Sequence, residues 1–176
     1  NANLTQITIP SSVTDIQPSS FLDMRVLSTI IIDTNEYYSV VDNVLFNKNQ
    51  KTLILYPIGK EQLTYTIPIN VDTIQSNAFS YSKLTSVSMP NTVTSIGGGA
   101  FQNSNLEQIS IPEGVTIIDE ATFYNASKLT QVNIPASVTT IKQGAFVEAI
   151  ELNQVIFASG SILTRIEDYA FAGTTN

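Results

Sequence analysis

The 176-residue chain contains no cysteine, no histidine and no tryptophan. That removes the thiolate nucleophile, the general base that titrates near neutrality and the commonest transition-metal ligands in one step. Disulfides are excluded too, and the redox compartment leaves no mark on the sequence. Charge is scarce: 13% of residues are charged against 43% hydrophobic, and the net balance is −7. An acidic surplus opposes general attraction to phosphates, so no nucleic-acid partner is expected. No apolar run reaches the roughly 18 residues of a membrane helix, so no membrane insertion is expected in this segment. No signal peptide is visible and the chain begins at Asn1 rather than Met, which reads as a processed or excised piece.

In place of charge there is Ser, Thr, Asn and Gln, a composition that suits exposed strands better than a helical bundle. One phrase recurs through the chain: L-x-x-I-x-I-P-x-x-V-x-x-I-x-x-x-A-F. It runs through Leu4, Ile7, Ile9, Pro10, Val13, Ile16 and Phe21, and again through Leu84, Val87, Met89, Pro90, Val93, Ile96, Ala100 and Phe101. It returns at Leu106–Phe123 and Leu129–Phe146, and more loosely at Leu152–Phe171. Phe79, Phe101, Phe123, Phe146 and Phe171 are spaced by 22, 22, 23 and 25 residues. Alternation in I-x-I predicts a short strand with one buried face. Pro, which has no N–H for a ladder, ends that strand. V-x-x-I is a second inward-facing segment, and x-x-x-A-F is expected to be a short helical turn that drops Phe into the core. One unit cannot bury its own apolar face, so stacking must supply the cover. Starts near residues 4, 27, 62, 84, 106, 129 and 152 give about seven coils. At roughly 4.8 Å per strand step the stack is about 30 Å long. The chain enters directly on a strand and stops just after Phe171, so the natural protein is expected to extend beyond both ends.

Residues 33–61 break the rhythm. Val40-Val41 and Val44-Leu45-Phe46, the polar turn Asn47–Lys51, then Leu53–Pro57 read as a β-hairpin. It is expected to project from, or extend, one coil. The whole chain, 1–176, is expected to be one repeat domain, with 33–61 as its hairpin-bearing irregular coil.

These phrases resemble the BspA-like, or Treponema pallidum-type, leucine-rich repeat family, and the likeness covers nearly the whole chain. Tyr38–Phe46 through Leu53–Pro57 is similar to a hairpin variant coil of that family. The chain departs from the family in lacking the Cys often found after A-F, and in two extra residues after Phe157. The resemblance implies a leucine-rich repeat solenoid of the α/β horseshoe class, made mostly of short strands with helical turns, and bearing one hairpin insertion. It further implies a cell-surface or extracellular location, adhesion to a protein or glycan on a host cell, matrix or other microbe, and no catalytic motif. A structural spacer or scaffold that presents other domains is the alternative.

In such a solenoid the outward residues between buried strand positions line the inner, concave face. One column is Gln6, Thr29, Thr64, Ser86, Gln108, Gln131 and Gln154; its neighbour is Thr8, Ile31, Thr66, Ser88, Ser110, Asn133 and Ile156. Neither carries a charge. They form either a hydrogen-bonding surface for a ligand or polar ladders that satisfy one another. A second candidate is a contact patch at the hairpin, Tyr37, Tyr38, Lys48, Lys51 and Tyr56, with Lys60 and Tyr65 nearby. These tyrosines would equally serve to close a hydrophobic gap in a lengthened coil. Asn3-Leu4-Thr5 and Asn125-Ala126-Ser127 are glycosylation sequons in form, relevant only in a secreting eukaryote. Asp119-Glu120 and Glu167-Asp168 fall on turns, not across a cleft as glycosidase carboxylates must. Gly97-Gly98-Gly99 sits at a bend with no P-loop lysine after it, and no D-x-D-x-D-G calcium loop occurs. No enzyme, no cofactor and no metal is expected.

Overall fold

In the computed structural model, residues 3–22 and 24–174 are described, and they form a stack of coils, most of them a circuit of strand, turn, strand and corner. The first coil holds β1 (Gln6–Ile9) and a 3-10 turn, Pro18–Phe21. The second holds β2 (Thr29–Ile32), β3 (Tyr38–Val41), β4 (Val44–Asn47) and β5 (Thr52–Leu55). Each later coil has two strands. They are β6 (Thr64–Thr66) with β7 (Thr73–Ile74), and β8 (Ser86–Ser88) with β9 (Ser95–Ile96). Then follow β10 (Gln108–Ser110) with β11 (Ile117–Ile118), β12 (Gln131–Ile134) with β13 (Thr140–Ile141), and β14 (Gln154–Phe157) with β15 (Arg165–Ile166). The seven coils and the solenoid architecture match the sequence expectation.

Equivalent strands pair in parallel from coil to coil. One face carries a two-stranded sheet, β1-β2, and a five-stranded sheet in the order β6-β8-β10-β12-β14. The opposite side carries β3-β4-β5-β7-β9 and β11-β13-β15. Between the two faces each Pro carbonyl accepts the N–H of Val three residues on, at Pro10, Pro68, Pro90, Pro112 and Pro135. Pro therefore does two things: it ends the strand, and it opens the β-turn that carries the chain around.

The expected helical turn is present at Phe21 of the first coil, as Pro18–Phe21, but from Phe79 onward the A-F corner is not helical. Phe79, Phe101, Phe123 and Phe146 each donate their N–H to the next coil, at Ala100, Thr122, Ala145 and Ala170 (2.7–2.9 Å). The residues two before and two after each Phe have positive φ, as at Asn77 (62°), Tyr81 (58°), Ala121 (53°) and Glu148 (58°). Their N–H groups also cross to the next coil, while residues between them close turns within the coil. The alternation of left- and right-handed residues points every second N–H along the stack. A helix would turn those donors back into itself and is about 10 Å wide, twice the strand spacing. The corner instead adds a further ladder that advances at the strand step, and from Phe79 onward it replaces the helical turns expected from the sequence.

Inside this ladder the phenylalanines stack. Phe79–Phe101, Phe101–Phe123, Phe123–Phe146 and Phe146–Phe171 have ring centroids 5.0–5.5 Å apart and planes within 10° of parallel. Tyr56 heads the column, 5.4 Å from Phe79. All five rings from Tyr56 to Phe146 are essentially sealed from solvent.

The irregular segment is a three-stranded antiparallel meander that extends its coil rather than projecting from it. β3 pairs β4, β4 pairs β5, and β5 then joins β7 in parallel. The turn at Asp42-Asn43 has φ of 50° and 62°, the paired positive values of a two-residue hairpin turn. Its strands β4 and β5 are buried on both faces. Val44, Phe46, Leu53 and Tyr56 enter the main core, whereas Leu45, Ile54 and Leu55 enter a second core with Ile9, Ile16, Phe21 and Ile30. Unbroken apolar runs such as Val44-Leu45-Phe46 belong to strands covered on both sides. Asn35, 2% exposed, ties the meander to the first coil: its Nδ2 donates to the carbonyls of Pro10, Ser11 and Val13, and its Oδ1 accepts the N–H of Tyr37 and Tyr38.

Three stability predictions follow from the corner. Phe123→Ala costs about 3–5 kcal/mol in urea unfolding, the range for removing a buried ring. Ala121 and Gly144 share one left-handed position, φ 53° and 63°. Ala121→Gly should therefore raise the melting temperature and Gly144→Ala lower it, each by the equivalent of about 1 kcal/mol; the same sign for both would refute a shared backbone cause. Burial pushes the Tyr56 hydroxyl up to about 12, from 10.0 in the unfolded chain. Its contribution is whole below pH 10 and is lost as pH rises from about 10 toward 12, because only the unfolded state then gives up the proton. Melts at about pH 9 and about pH 11 should show a smaller loss for Tyr56→Phe than for the parent chain.

Candidate functional site

The two outward columns fall into register as the repeat requires. Gln6 pairs Thr29 and Thr8 pairs Ile31 between β1 and β2. Thr64, Ser86, Gln108, Gln131 and Gln154 align across the five-stranded sheet, as do Thr66, Ser88, Ser110, Asn133 and Ile156. The buried partners between them, Val87, Ile109 and Val132, hold the backbone while the polar neighbours face out. Thr29, Gln131 and Asn133 are half-buried and the rest exposed.

Polar ladders account for only part of this face. Gln131 Nε2 donates to Asn133 Oδ1 (3.0 Å), and Asn133 Nδ2 donates to Ser110 Oγ (2.9 Å). Among the described residues, the other hydroxyls and amides of the two columns make no side-chain hydrogen bond. The contrast lies at the entry to the strands and on the far side. There Ser28, Thr85, Thr130, Thr139 and Thr164 each donate to a carbonyl of the preceding coil. Those hydroxyls are consumed by the scaffold, and those of the strand face are left for solvent or a partner. A shallow depression of about 310 Å³ lies on the long sheet over Ser86, Ser88, Gln108, Ser110 and Asn133.

The hairpin patch divides in two. Tyr37, Lys48 and Lys51 are exposed, with Lys48 Nζ donating to the Asn35 carbonyl (2.5 Å) and Lys51 4.0 Å from Asp72. Tyr38 and Tyr56 are only 8% and 1% exposed, and both rings close the lengthened coil. Tyr38 OH donates to the Thr14 carbonyl (3.0 Å), and its burial raises its pKa. Asn3 and Asn125 are exposed. Asn125 has φ 50° and its Nδ2, the nitrogen a glycan would take, donates to Asn103 Oδ1 (2.7 Å).

The acidic pairs are tied into the scaffold. Asp119 accepts from Lys142 (2.8 Å), whose pKa rises through that bond, and Glu167 binds Arg165 (3.0 Å) and the Gln143 N–H. Gly97–Gly99 lie at a corner, Gly99 with φ 63°. Among the described residues no group of three or more Asp or Glu gathers at one point, and no helix is long and apolar enough to cross a membrane.

One feature is invisible in the columns. The strand face is broken between β2 and β6, and the Asp42-Asn43 turn stands in the break: Asn43 lines one cleft with Ser28 and Thr29, and another with Tyr56 and Tyr65. Lys60, 7% exposed, lies between them and donates to the Asp42 carbonyl (2.5 Å), with its ammonium 5.5 Å from the Tyr56 ring centroid. Burial lowers its pKa and Asp42 opposes that shift; burial raises the pKa of Tyr65. The Asp-Asn dipeptide between Val40-Val41 and Val44-Leu45 was the available sequence signal for this turn.

Known proteins share the architecture. A leucine rich cell surface protein from Faecalibacterium prausnitzii A2-165 is 35% identical, over 89% of this chain and 48% of its own, with a TM-score of 0.70. The pneumococcal vaccine antigen PcpA is 25% identical over 96% of this chain and 44% of its own, at a TM-score of 0.84. A leucine-rich repeat protein from Eubacterium ventriosum ATCC 27560 is 25% identical over 98% and 59%, at 0.76. The chain therefore spans about half the length of these structures. No curated protein matches it in sequence. The model of the BspA type leucine rich repeat region matches six copies, over residues 1–65 and 59–176. With that match across its whole length, the chain belongs to the BspA type leucine-rich repeat family.

Proposed function

We propose that this chain is a non-enzymatic binding module of a cell-surface or secreted protein, adhesin-like, and that it engages a protein or glycan through its strand face. The observation that carries this is the pair of in-register outward columns, uncharged from Thr64 to Gln154 and from Thr66 to Ile156, most of whose polar groups the scaffold does not use. A flat polar surface with isolated apolar points at Ile31 and Ile156 suits a broad, wet interface better than a small-molecule pocket. The absence of His and Cys supports a non-enzymatic role, as does the pairing of Asp119 and Glu167 with neighbouring cations. A surface location is supported by the named relatives, one a cell surface protein and another a vaccine antigen.

The unbroken aromatic stack favours a second reading, a stiff spacer that presents other domains. The two separate in one experiment. The chain is immobilised and titrated with matrix proteins, microbial surface extracts and a glycan array, beside a Gln108→Ala, Gln131→Ala, Asn133→Ala triple variant and Ser110→Arg. Binding by the face predicts saturable capture that weakens at least about tenfold in both variants with melting temperatures kept. Saturable capture untouched by either variant removes the strand face from the function. No saturable capture at all leaves the spacer.

A further inference from the structure

At the break between β2 and β6 the strand face stops being a repeat. Gly59 causes the closest approach there: its N–H donates to the Leu27 carbonyl (2.7 Å), and a Cβ on it would stand 2.4 Å from the Val26 carbonyl carbon. From that pinch the chain leaves through Lys60, Glu61 and Gln62, and the Asp42-Asn43 turn fills part of the gap. Two clefts result, of about 550 and 310 Å³, and they share Asn43, Lys60 and Gln62. Both volumes lie in or near the range of small-ligand sites.

The groups gathered here are left incomplete by the protein. Lys60 is 93% buried, yet among the described residues its ammonium donates to a single acceptor, the Asp42 carbonyl. Tyr56 lines the smaller cleft, and its hydroxyl is buried with no hydrogen-bond partner. A buried hydroxyl without a partner is destabilising, and beside a buried ammonium that has one acceptor it calls for a cause beyond stability. Asn43 and Gln62 add planar amides, each with donor and acceptor on one edge, and Asp42 adds a carboxylate. Tyr65 supplies a half-buried aromatic ring beside them.

Charge decides the class of ligand. The Lys60 cation sits in the field of Asp42, and Glu61 is already held by Lys83 (2.6 Å). The cleft is thus close to neutral and offers no net attraction to a carboxylate or phosphate. It lacks the desolvated apolar anchor that a peptide would need. What it does hold is paired donors and acceptors on planar amides beside an aromatic ring. A pyranose presents the same pattern in reverse, adjacent hydroxyls at its rim and C–H groups on its face. We infer that the clefts around Asn43, Lys60 and Gln62 bind a neutral sugar residue, with Tyr65 as the ring beside it. This site is separate from the columns on the long sheet and is independent of their role.

The test uses the whole chain with glucose, galactose, mannose, N-acetylglucosamine, N-acetylgalactosamine and lactose as probes, read by saturation-transfer NMR and calorimetry. N-acetylneuraminic acid and a glutamate-rich peptide are the control arms. Asn43→Gly keeps the left-handed turn while removing the amide, and Gln62→Ala alters an exposed side chain, so neither should shift the melting temperature. The expected result is saturable binding of at least one neutral sugar, weakened at least about tenfold by each variant and unchanged by Gln131→Ala and Asn133→Ala. Three results overturn the inference: no saturable binding of any neutral sugar, binding indifferent to both cleft variants, or binding confined to the acidic sugar or the peptide.

Discussion

A solenoid holds together only if each coil advances by the same step along all of its sides. Here that step is the hydrogen-bonded strand spacing of about 4.8 Å, and the corner obeys it as strictly as the strands do. The phenylalanines stack 5.0–5.5 Å apart, and the N–H groups of Phe and of the residues two to either side bridge to the next coil. Residues such as Ala121, Tyr81 and Glu148 accept a left-handed backbone that costs each of them about 1–2 kcal/mol. The alternative is a corner whose donors face inward and whose rings cannot stack. The ladder outweighs the local strain because it repeats: each coil receives the corner bonds of its neighbour and buries another ring.

The meander shows what happens when one coil cannot follow the phrase. Without the Pro-x-x-Val turn after Ile32, the second coil fills its width with three antiparallel strands, of which β4 and β5 send side chains into both cores. Tyr56 restores the column by taking the place of the missing Phe. Restoration on the stacked side leaves a mismatch on the other, since β2 and β6 no longer pair. The break in the strand face and the continuity of the aromatic stack are two consequences of one insertion.

Most of the architecture was legible because the phrase is periodic in buried residues. Ile-x-Ile, Pro and Phe recur at fixed intervals, and burial obeys the same intervals, so coil number, register and the outward columns could be read from spacing alone. The corner conformation could not. Ala-Phe preceded by three variable residues fits a helical turn equally well on periodicity, and only the repeated Gly or Asn two residues to either side, as at Asn77, Gly99, Asn103, Asn125 and Gly144, hints at left-handed backbone. The meander was half legible. Its polar turn at Asn47–Lys51 stood out, while Asp42-Asn43 was hidden inside an apolar run, and with it the fate of Tyr56 and the position of Lys60. Exposure of a tyrosine depends on which neighbouring coil covers it, and that is set by the insertion rather than by the local sequence.

The strand face itself is chemically plain, and that plainness has a physical basis. In-register parallel strands bring identical positions about 4.8 Å apart, so any charge kept in a column would repel its neighbours in the coils above and below. Thr, Ser, Asn and Gln avoid that penalty. The same logic explains why hydroxyls on the flanks, at Thr85, Thr130, Thr139 and Thr164, turn to backbone carbonyls of the coil before them. A repeat therefore selects against distinctive chemistry wherever it is regular, and affinity from the columns must come from area and shape. On the strand face, charged and aromatic groups gather most readily where the register is interrupted. In this chain that is the break at Asn43 and Lys60, where a cation, a carboxylate, two amides and a ring meet without a like-charged copy one coil away.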